Sequence, residues 1–200
     1  LFLKTLKRKE LLCGYAEILK HSLIYDKRNF NFLEKHWEKI INLKEPYLSS
    51  SIHKSCNIKK TIVEKDENEK NIRKLLNLGH TFGHAYEGAS KFKNQINHGE
   101  GVILGIKSSL LFSLEKMYIS SKEYQKVLLH INKLNLNLQL RNFFKKKDIS
   151  NLINLMINDK KNTNSKINLI LLKNIGKPII NKRFKVLEIK KFFQKNLMKI

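Results

Sequence analysis

The 200-residue chain is 42% hydrophobic, which is enough for a sizeable core and outside the range of disordered segments. Its formal net charge is +23, but the lysines are dispersed (Lys20, Lys35, Lys39, Lys54, Lys91, Lys146 and Lys191 among them) and no aromatics interleave with them. That pattern makes solvated faces rather than a nucleic-acid platform, and no apolar run reaches the roughly 18 residues of a membrane span.

The expectation is therefore a cytoplasmic protein that binds neither nucleic acid nor membrane. No signal peptide is visible, and a start at Leu1 rather than Met reads as a piece of a longer protein. Cys13 and Cys56 belong to no C-x-x-C pattern, which suggests buried, inert thiols in a reducing compartment.

Helical periodicity dominates the chain. From about Glu10 to Tyr25 apolar residues recur at i, i+3, i+4 and i+7, predicting an amphipathic helix. NFNFLEKHWEKIINL predicts a second, ending before Pro46. The serine cluster SSSIHK reads as the start of a third, running through CNIKKTIVEKDENEK. RKLLNLGHTFGHAYEGA and HGEGVILGIKSSLLFSLEKMYI predict two more, separated by the polar loop SKFKNQIN. The strand signal comes late: KINLILLKNIGKPII has two apolar runs around Asn174 and Gly176, so a small β-hairpin is expected near residues 166–181. The tail from Phe184 to Met198 returns to helical spacing. The fold class is mainly α, with no internal repeat and no G-x-G-x-x-G following a strand.

Six of the eight glycines fall between Gly79 and Gly105, inside helical pattern. Each costs about 0.5–1 kcal/mol there relative to alanine, so the segment needs a packing or functional reason. In the same segment His80 and His84, four residues apart, share one helix face. Neutral imidazole is a favoured zinc ligand, and catalytic zinc takes three protein ligands. His98 supplies a third imidazole, and either Glu17 or Glu100 could supply a carboxylate. Lys59, Arg73 and the pair Lys160–Lys161 could hold a carboxylate or phosphate. The remaining histidines, His21, His36, His53 and His130, read as ordinary core or surface residues.

RKLLNLGHTFGHAYE and INHGEGVILG resemble the signature of the 3-dehydroquinate synthase family. GYAEILKHSLIYD resembles the family's G-x-A-E-(V/I)-I-K-(Y/H)-x-L-I-x-D segment, and IKKTIVEKDENEKNIR its K-x-x-V-V-x-x-D-E-x-E-x-x-x-R segment. MINDKKN and ILLKNIGKP resemble its closing elements, and FLKT its F-L-x-T. The resemblance covers nearly the whole chain in family order. One small departure is Lys7, where a proline often follows Thr-Leu.

The resemblance implies a fold and a set of roles. Residues 1–200 would be the helical C-terminal domain of the dehydroquinate synthase-like fold, with residues 1–5 the end of the linker from an absent NAD-binding domain. It implies metal ligands at Glu17, His80 and His98, holding Zn2+ or Co2+, and thereby turns His84 from a ligand into a phosphate contact. Asn77 would share the phosphate, Lys59 and Arg73 would bind the substrate carboxylate, and Lys20 would touch substrate hydroxyls. Glu69 would contact substrate, and one of Lys160 and Lys161 would reach the phosphate. Phe2, Leu3, Lys4 and Thr5 would touch NAD. Lys20, Asn77 and His84 would be the catalytic groups.

The implied activity is that of a phosphate-eliminating carbon–oxygen lyase of the shikimate pathway, working as a homodimer at full length. It would convert 3-deoxy-D-arabino-heptulosonate 7-phosphate to 3-dehydroquinate by transient oxidation with NAD, phosphate elimination, hydride return and aldol closure. The alternatives are a related sugar-phosphate cyclase, a metal-dependent polyol dehydrogenase, an inactive truncated domain, and a non-catalytic basic domain.

Overall fold

A computed structural model describes residues 2–90, 96–136, 138–159 and 166–200. Among the described residues lie eight helices and one hairpin: α1 (Arg8–Tyr25), α2 (Lys27–Ile41), α3 (Tyr47–Lys65), α4 (His80–Ser90), α5 (His98–Glu115), α6 (Ser121–Lys133), α7 (Ile149–Ile157), β1 (Lys166–Asn174), β2 (Lys177–Lys185) and α8 (Val186–Asn196). Short 3-10 turns occupy Phe2–Thr5, Ile72–Asn77, Leu140–Asn142 and Lys146–Asp148. The mainly α architecture with a late hairpin is the one the periodicity predicts.

The centre is α5. Its middle turns bury residues 102–106, 108–110 and 112, with only Lys107 and Leu111 partly exposed, the pattern of an interior helix. α4 and α1 pack against it, and glycines set how closely. A Cβ on Gly105 would lie 2.0 Å from the Gly79 carbonyl oxygen, and one on Gly83 would lie 2.7 Å from that of Gly101. One on Gly99 would lie 2.3 Å from Cys13 Cα, so α1 and α5 meet backbone to backbone. The concentration of glycine thus has a packing cause, the close approach of three helices.

α1 buries Leu12, Tyr15, Ala16, Leu19 and Leu23, the predicted i, i+3, i+4, i+7 face. It stops at Asp26, whose Oδ1 accepts from Arg28 N at 2.8 Å and so caps α2. On the far side of α4, Phe82 and Tyr86 pack with Phe193 from α8. Each fully buried ring of this kind contributes roughly 1.5–3 kcal/mol.

Four expectations are corrected. α3 begins at Tyr47 rather than at the serine cluster, and it ends at Asp66 rather than running through DENEK. Asp66 accepts hydrogen bonds from the backbone N–H groups of Lys70, Asn71 and Arg73, so its carboxylate organises a turn in place of helix. Arg73 to Ala89 is not one helix: a 3-10 turn ends at Asn77, and Gly79 with φ +80 restarts the chain as α4. Cys56 is exposed and Cys13 only half-buried, against the expectation of two buried thiols.

β1 pairs antiparallel with β2, Ile167 opposite Phe184 and Leu171 opposite Ile179, with β2 continuing to Lys185 past the expected end. The turn is held by Gly176 (φ +77), whose N–H donates to Leu23 O at 2.8 Å. β1 is fixed to α5 by Leu172 N donating to Ser113 Oγ, and to the first turn of α4 by Thr81 Oγ1 donating to Asn168 O. No helix among the described residues is long and apolar enough to cross a membrane.

Candidate active site

Glu17, Lys20 and His21 project from one face of α1, at i, i+3 and i+4. The first turns of α4 and α5 converge on that face, each with a histidine as first residue, His80 and His98. Glu17 Oε1 lies 3.9 Å from His80 Nε2 and 3.8 Å from His98 Nε2. The other carboxylate oxygen, Oε2, accepts from Lys20 Nζ at 2.7 Å and lies 3.9 Å from His21 Nε2. The two oxygens therefore face different groups, imidazoles on one side and a buried ammonium on the other.

Local structure explains these placements. His80 follows the positive-φ Gly79, and its Nδ1 donates to Leu78 O at 3.3 Å, which leaves the Nε2 lone pair towards Glu17. His98 follows Asn97, the cap of α5, whose Oδ1 accepts from Glu100 N at 2.9 Å. Glu100 returns the bond by accepting from Asn97 N at 3.0 Å, and its other oxygen pairs with Lys9 at 3.1 Å. Of the two carboxylates left open by spacing, Glu100 is thus a helix cap, and Glu17 stands at the histidines.

Electrostatics keep the His80 lone pair available. Burial, reinforced by the Lys20 cation, pulls His80 down to about 3, so its imidazole is neutral at pH 7. Burial pushes the Glu17 carboxyl up, but the charge and hydrogen bond of Lys20, with His80 and His21, outweigh it and hold Glu17 below the usual carboxylate range. Burial lowers Lys20, with Glu17 opposing, and it lowers His21 to about 4.

One ligand atom each from Glu17, His80 and His98 lie within 4.8 Å of one another. Glu17 Oε1 is buried and has no hydrogen-bond partner. Such an orphaned anionic oxygen between two imidazole nitrogens fits a divalent cation, and zinc bonds of about 2 Å reach across separations of this size. One ligand atom each from His84, Glu87 and His98 likewise lie within 4.8 Å of one another.

Beside the cluster lies a cavity of about 320 Å³, lined by Glu17, Lys20, His21, Lys59, Glu69, Arg73, Leu76, Asn77, His80 and His98. The structure thus gathers Lys20, Lys59, Glu69, Arg73 and Asn77 around the three candidate ligands. Asn77 Nδ2 donates to Glu69 Oε1 at 2.6 Å and to Lys74 O at 3.1 Å, and the Arg73 guanidinium donates to Glu67 O. His84 stands exposed, its ring 5.2 Å from that of His80. Phe2–Thr5 form a 3-10 turn with Phe2 exposed, and Leu3 lines a separate apolar groove with Leu11, Ile18 and Leu48. Lys160 and Lys161 lie outside the described residues.

Two residues at the site are given no site role by the sequence. His21, expected to be an ordinary core residue, lines the cavity and bonds Ser55 Oγ through Nδ1 at 2.7 Å. Its place four residues after Glu17 was the available signal. Glu87 reaches His98 Nδ1 at 3.4 Å. It sits three and seven residues after His84 and His80, on their helix face.

Residues 14–162 match the model of the 3-dehydroquinate synthase C-terminal family. The chain belongs to that family. It is 47% identical over 198 residues to 3-dehydroquinate synthase of Pelagibacter ubique, covering 99% of this chain and 54% of the relative. It is 38% identical to that of Thermoanaerobacter pseudethanolicus, over 88% of this chain and 48% of the relative. It is 36% identical to that of Bartonella quintana, over 100% and 53%. The chain thus spans about half the length of the curated 3-dehydroquinate synthases it matches.

Among solved structures it resembles 2-epi-5-epi-valiolone synthase of Streptomyces hygroscopicus, with NAD+ and Zn2+ bound (TM-score 0.82, 21% identity, 96% of this chain and 52% of that one). It also resembles 2-deoxy-scyllo-inosose synthase complexed with carbaglucose-6-phosphate, NAD+ and Co2+ (0.78, 20%, 98% and 53%). At these identities the likeness shows a shared fold.

Proposed function

We propose that residues 1–200 form the metal- and substrate-binding C-terminal domain of a 3-dehydroquinate synthase, with residues 1–5 ending the linker from an NAD-binding half. The reaction would turn 3-deoxy-D-arabino-heptulosonate 7-phosphate into 3-dehydroquinate and phosphate, in a cytoplasmic, homodimeric full-length enzyme. The observation that carries this reading is the orphaned Glu17 Oε1 between His80 Nε2 and His98 Nε2, at the wall of a cavity lined by Lys20, Lys59 and Arg73.

Glu17, His80 and His98 would hold Zn2+ or Co2+, and the ion would supply Lewis acidity to a substrate hydroxyl. The remaining work belongs to the chain's own side chains. Arg73 and Lys59 face the cavity from the 3-10 turn and α3, and would clamp the carboxylate, Arg73 in fork geometry. Lys20, almost wholly buried, presents a fixed cation to substrate hydroxyls beside Glu17. Asn77 and His84 would take the phosphate, with Lys160 or Lys161. Both N–H groups of Asn77 are already bonded, so binding there exchanges Glu69 or Lys74 for a phosphate oxygen. Glu69, which accepts from Asn77, would contact substrate beside it. Phe2, Leu3, Lys4 and Thr5 would meet NAD held mainly by the other half. Clamping both ends of a flexible substrate supplies the orientation that several steps at one site require.

The test joins this chain to an N-terminal half from a relative and measures turnover of the heptulosonate phosphate, alongside metal content. Turnover that disappears in Glu17→Ala and Arg73→Ala supports the reading. Turnover of a substrate lacking the carboxylate, with none of the heptulosonate phosphate, favours a related sugar-phosphate cyclase instead.

A further inference from the structure

His80 and His98 are oriented alike. Each points Nε2 at Glu17 Oε1, and each has an oxygen opposite Nδ1. For His80 that oxygen is the Leu78 carbonyl, which can only accept, so the ring proton sits on Nδ1. For His98 it is Glu87 Oε1, 3.4 Å away, a buried oxygen with no hydrogen-bond partner. The backbone makes room for it: a Cβ on Gly101 would lie 2.7 Å from Glu87 Oε1 and 2.8 Å from its Cγ. His98 needs such help, because its side chain is 53% exposed while that of His80 is 14% exposed. Burial holds the one ring, and nothing comparable holds the other.

We infer that Glu87 is the positioning residue of His98, accepting its Nδ1–H so that Nε2 is presented to the metal, and that Gly101 keeps the space Glu87 occupies. This rests on the metal-site reading above. A carboxylate behind a ligating imidazole fixes tautomer and ring orientation and makes the nitrogen a better donor, typically worth 10–100-fold in metal affinity. The group His84, Glu87 and His98, which could be taken for a second cation site, is thereby explained: Glu87 serves the ring of His98 rather than an ion of its own.

The experiment measures zinc affinity by chelator competition, and zinc stoichiometry, for the purified chain. Wild type is expected to take one zinc. Glu87→Ala should bind it 10–100-fold more weakly, and Glu87→Gln, which keeps an acceptor oxygen, should fall between. Gly101→Ala should weaken zinc in the same direction, and the double variant should lose less than the product of the two. Nitrogen-15 shifts of the imidazoles should show His98 protonated on Nδ1 in metal-free wild type and mixed in Glu87→Ala, a change that simple loss of packing would not produce. Circular dichroism identifies any variant that has merely unfolded, in which case Glu87→Gln and the tautomer measurement decide.

Folded Glu87→Ala with wild-type affinity and tautomer overturns the inference while leaving the metal site intact. Two zinc ions per wild-type chain, one lost in His84→Ala, would make Glu87 a ligand and overturn it too. No zinc on wild type overturns both readings.

Discussion

Lys20 Nζ sits 2.7 Å from Glu17 Oε2, with the Lys20 side chain 3% exposed and the carboxylate's other oxygen turned to His80 and His98. The two charges balance each other within the cluster. Removing one partner of a buried pair strands the other. Glu17 is 31% exposed, so Lys20→Met should cost the metal-free chain only about 1–3 kcal/mol, at or below the fully buried range. Added zinc would replace the lost cation and restore most of that loss, whereas in Glu17→Ala it would restore none. Urea unfolding of the three chains with and without zinc checks this, and a Lys20→Met deficit that zinc leaves untouched would contradict it.

The two histidines of α4 should separate in function. His80 Nε2 faces Glu17, while His84 is exposed and faces no oxygen of Glu17 within ion-pair reach. His80→Ala should abolish zinc binding. His84→Ala should retain the metal and weaken phosphate binding, by roughly 10-fold for one lost charged-group hydrogen bond. Metal analysis of the two proteins, followed by phosphate titration of the one that keeps zinc, decides it. Equal metal loss would return His84 to the ligand set.

Glycine positions give a pair of opposite stability effects. Gly105 would place a Cβ 2.0 Å from a backbone oxygen of Gly79, with no flexible side chain to yield. Gly105→Ala should destabilise by about 1–3 kcal/mol or prevent folding. Gly14, within α1, has nothing within 4 Å of the position a Cβ would take. Gly14→Ala should stabilise by about 0.5–1 kcal/mol, the helix-propensity difference. Thermal unfolding of both variants reads the two signs.

Much of this was legible in the sequence, for physical reasons that differ by element. α1 declared itself because its buried face repeats at 3.6 residues, and the hairpin because an apolar run met Asn174 and Gly176. The break between Asn77 and His80 was hidden, because LLNLGH carries helical spacing straight through Gly79, and only a positive φ there ends the pattern. DENEK looked helical by composition, yet Asp66 offered its oxygens to three backbone N–H groups and won the competition. At the site, spacing on one helix could pair His80 with His84 but could not weigh them against Glu17, 63 positions earlier in the numbering. Only the resemblance reached across that distance. Glu87 was invisible to both: its role needs the contact with His98 and the space at Gly101, which exist only once α4 lies on α5.

His130 supplies the pH dependence. It is fully buried on α6, with Nε2 2.9 Å from the Tyr15 hydroxyl of α1, Phe30 of α2 edge-on to its ring, and Nδ1 without a hydrogen-bond partner. Burial, with the Lys133 charge adding, pulls it from the ordinary 6.5 to about 4, and burial pushes Tyr15 up so that it remains a phenol. The folded state therefore holds a neutral imidazole where the unfolded chain would take a proton near pH 6.5. Its stabilising contribution is complete above that pH and is lost as pH falls from about 6.5 towards 4, at up to about 1.4 kcal/mol per pH unit for one proton. His21, lowered to about 4 mainly by burial, adds a contribution of the same sign in the same window. Urea midpoints measured every half unit should fall steeply for wild type between pH 6.5 and 4. His130→Gln will be less stable throughout, because it loses ring packing, but its slope in that window should be shallower by up to one proton. A variant slope equal to that of wild type would mean that His130 is protonated equally in the folded and unfolded chains, and that its burial is not what sets the acid limit.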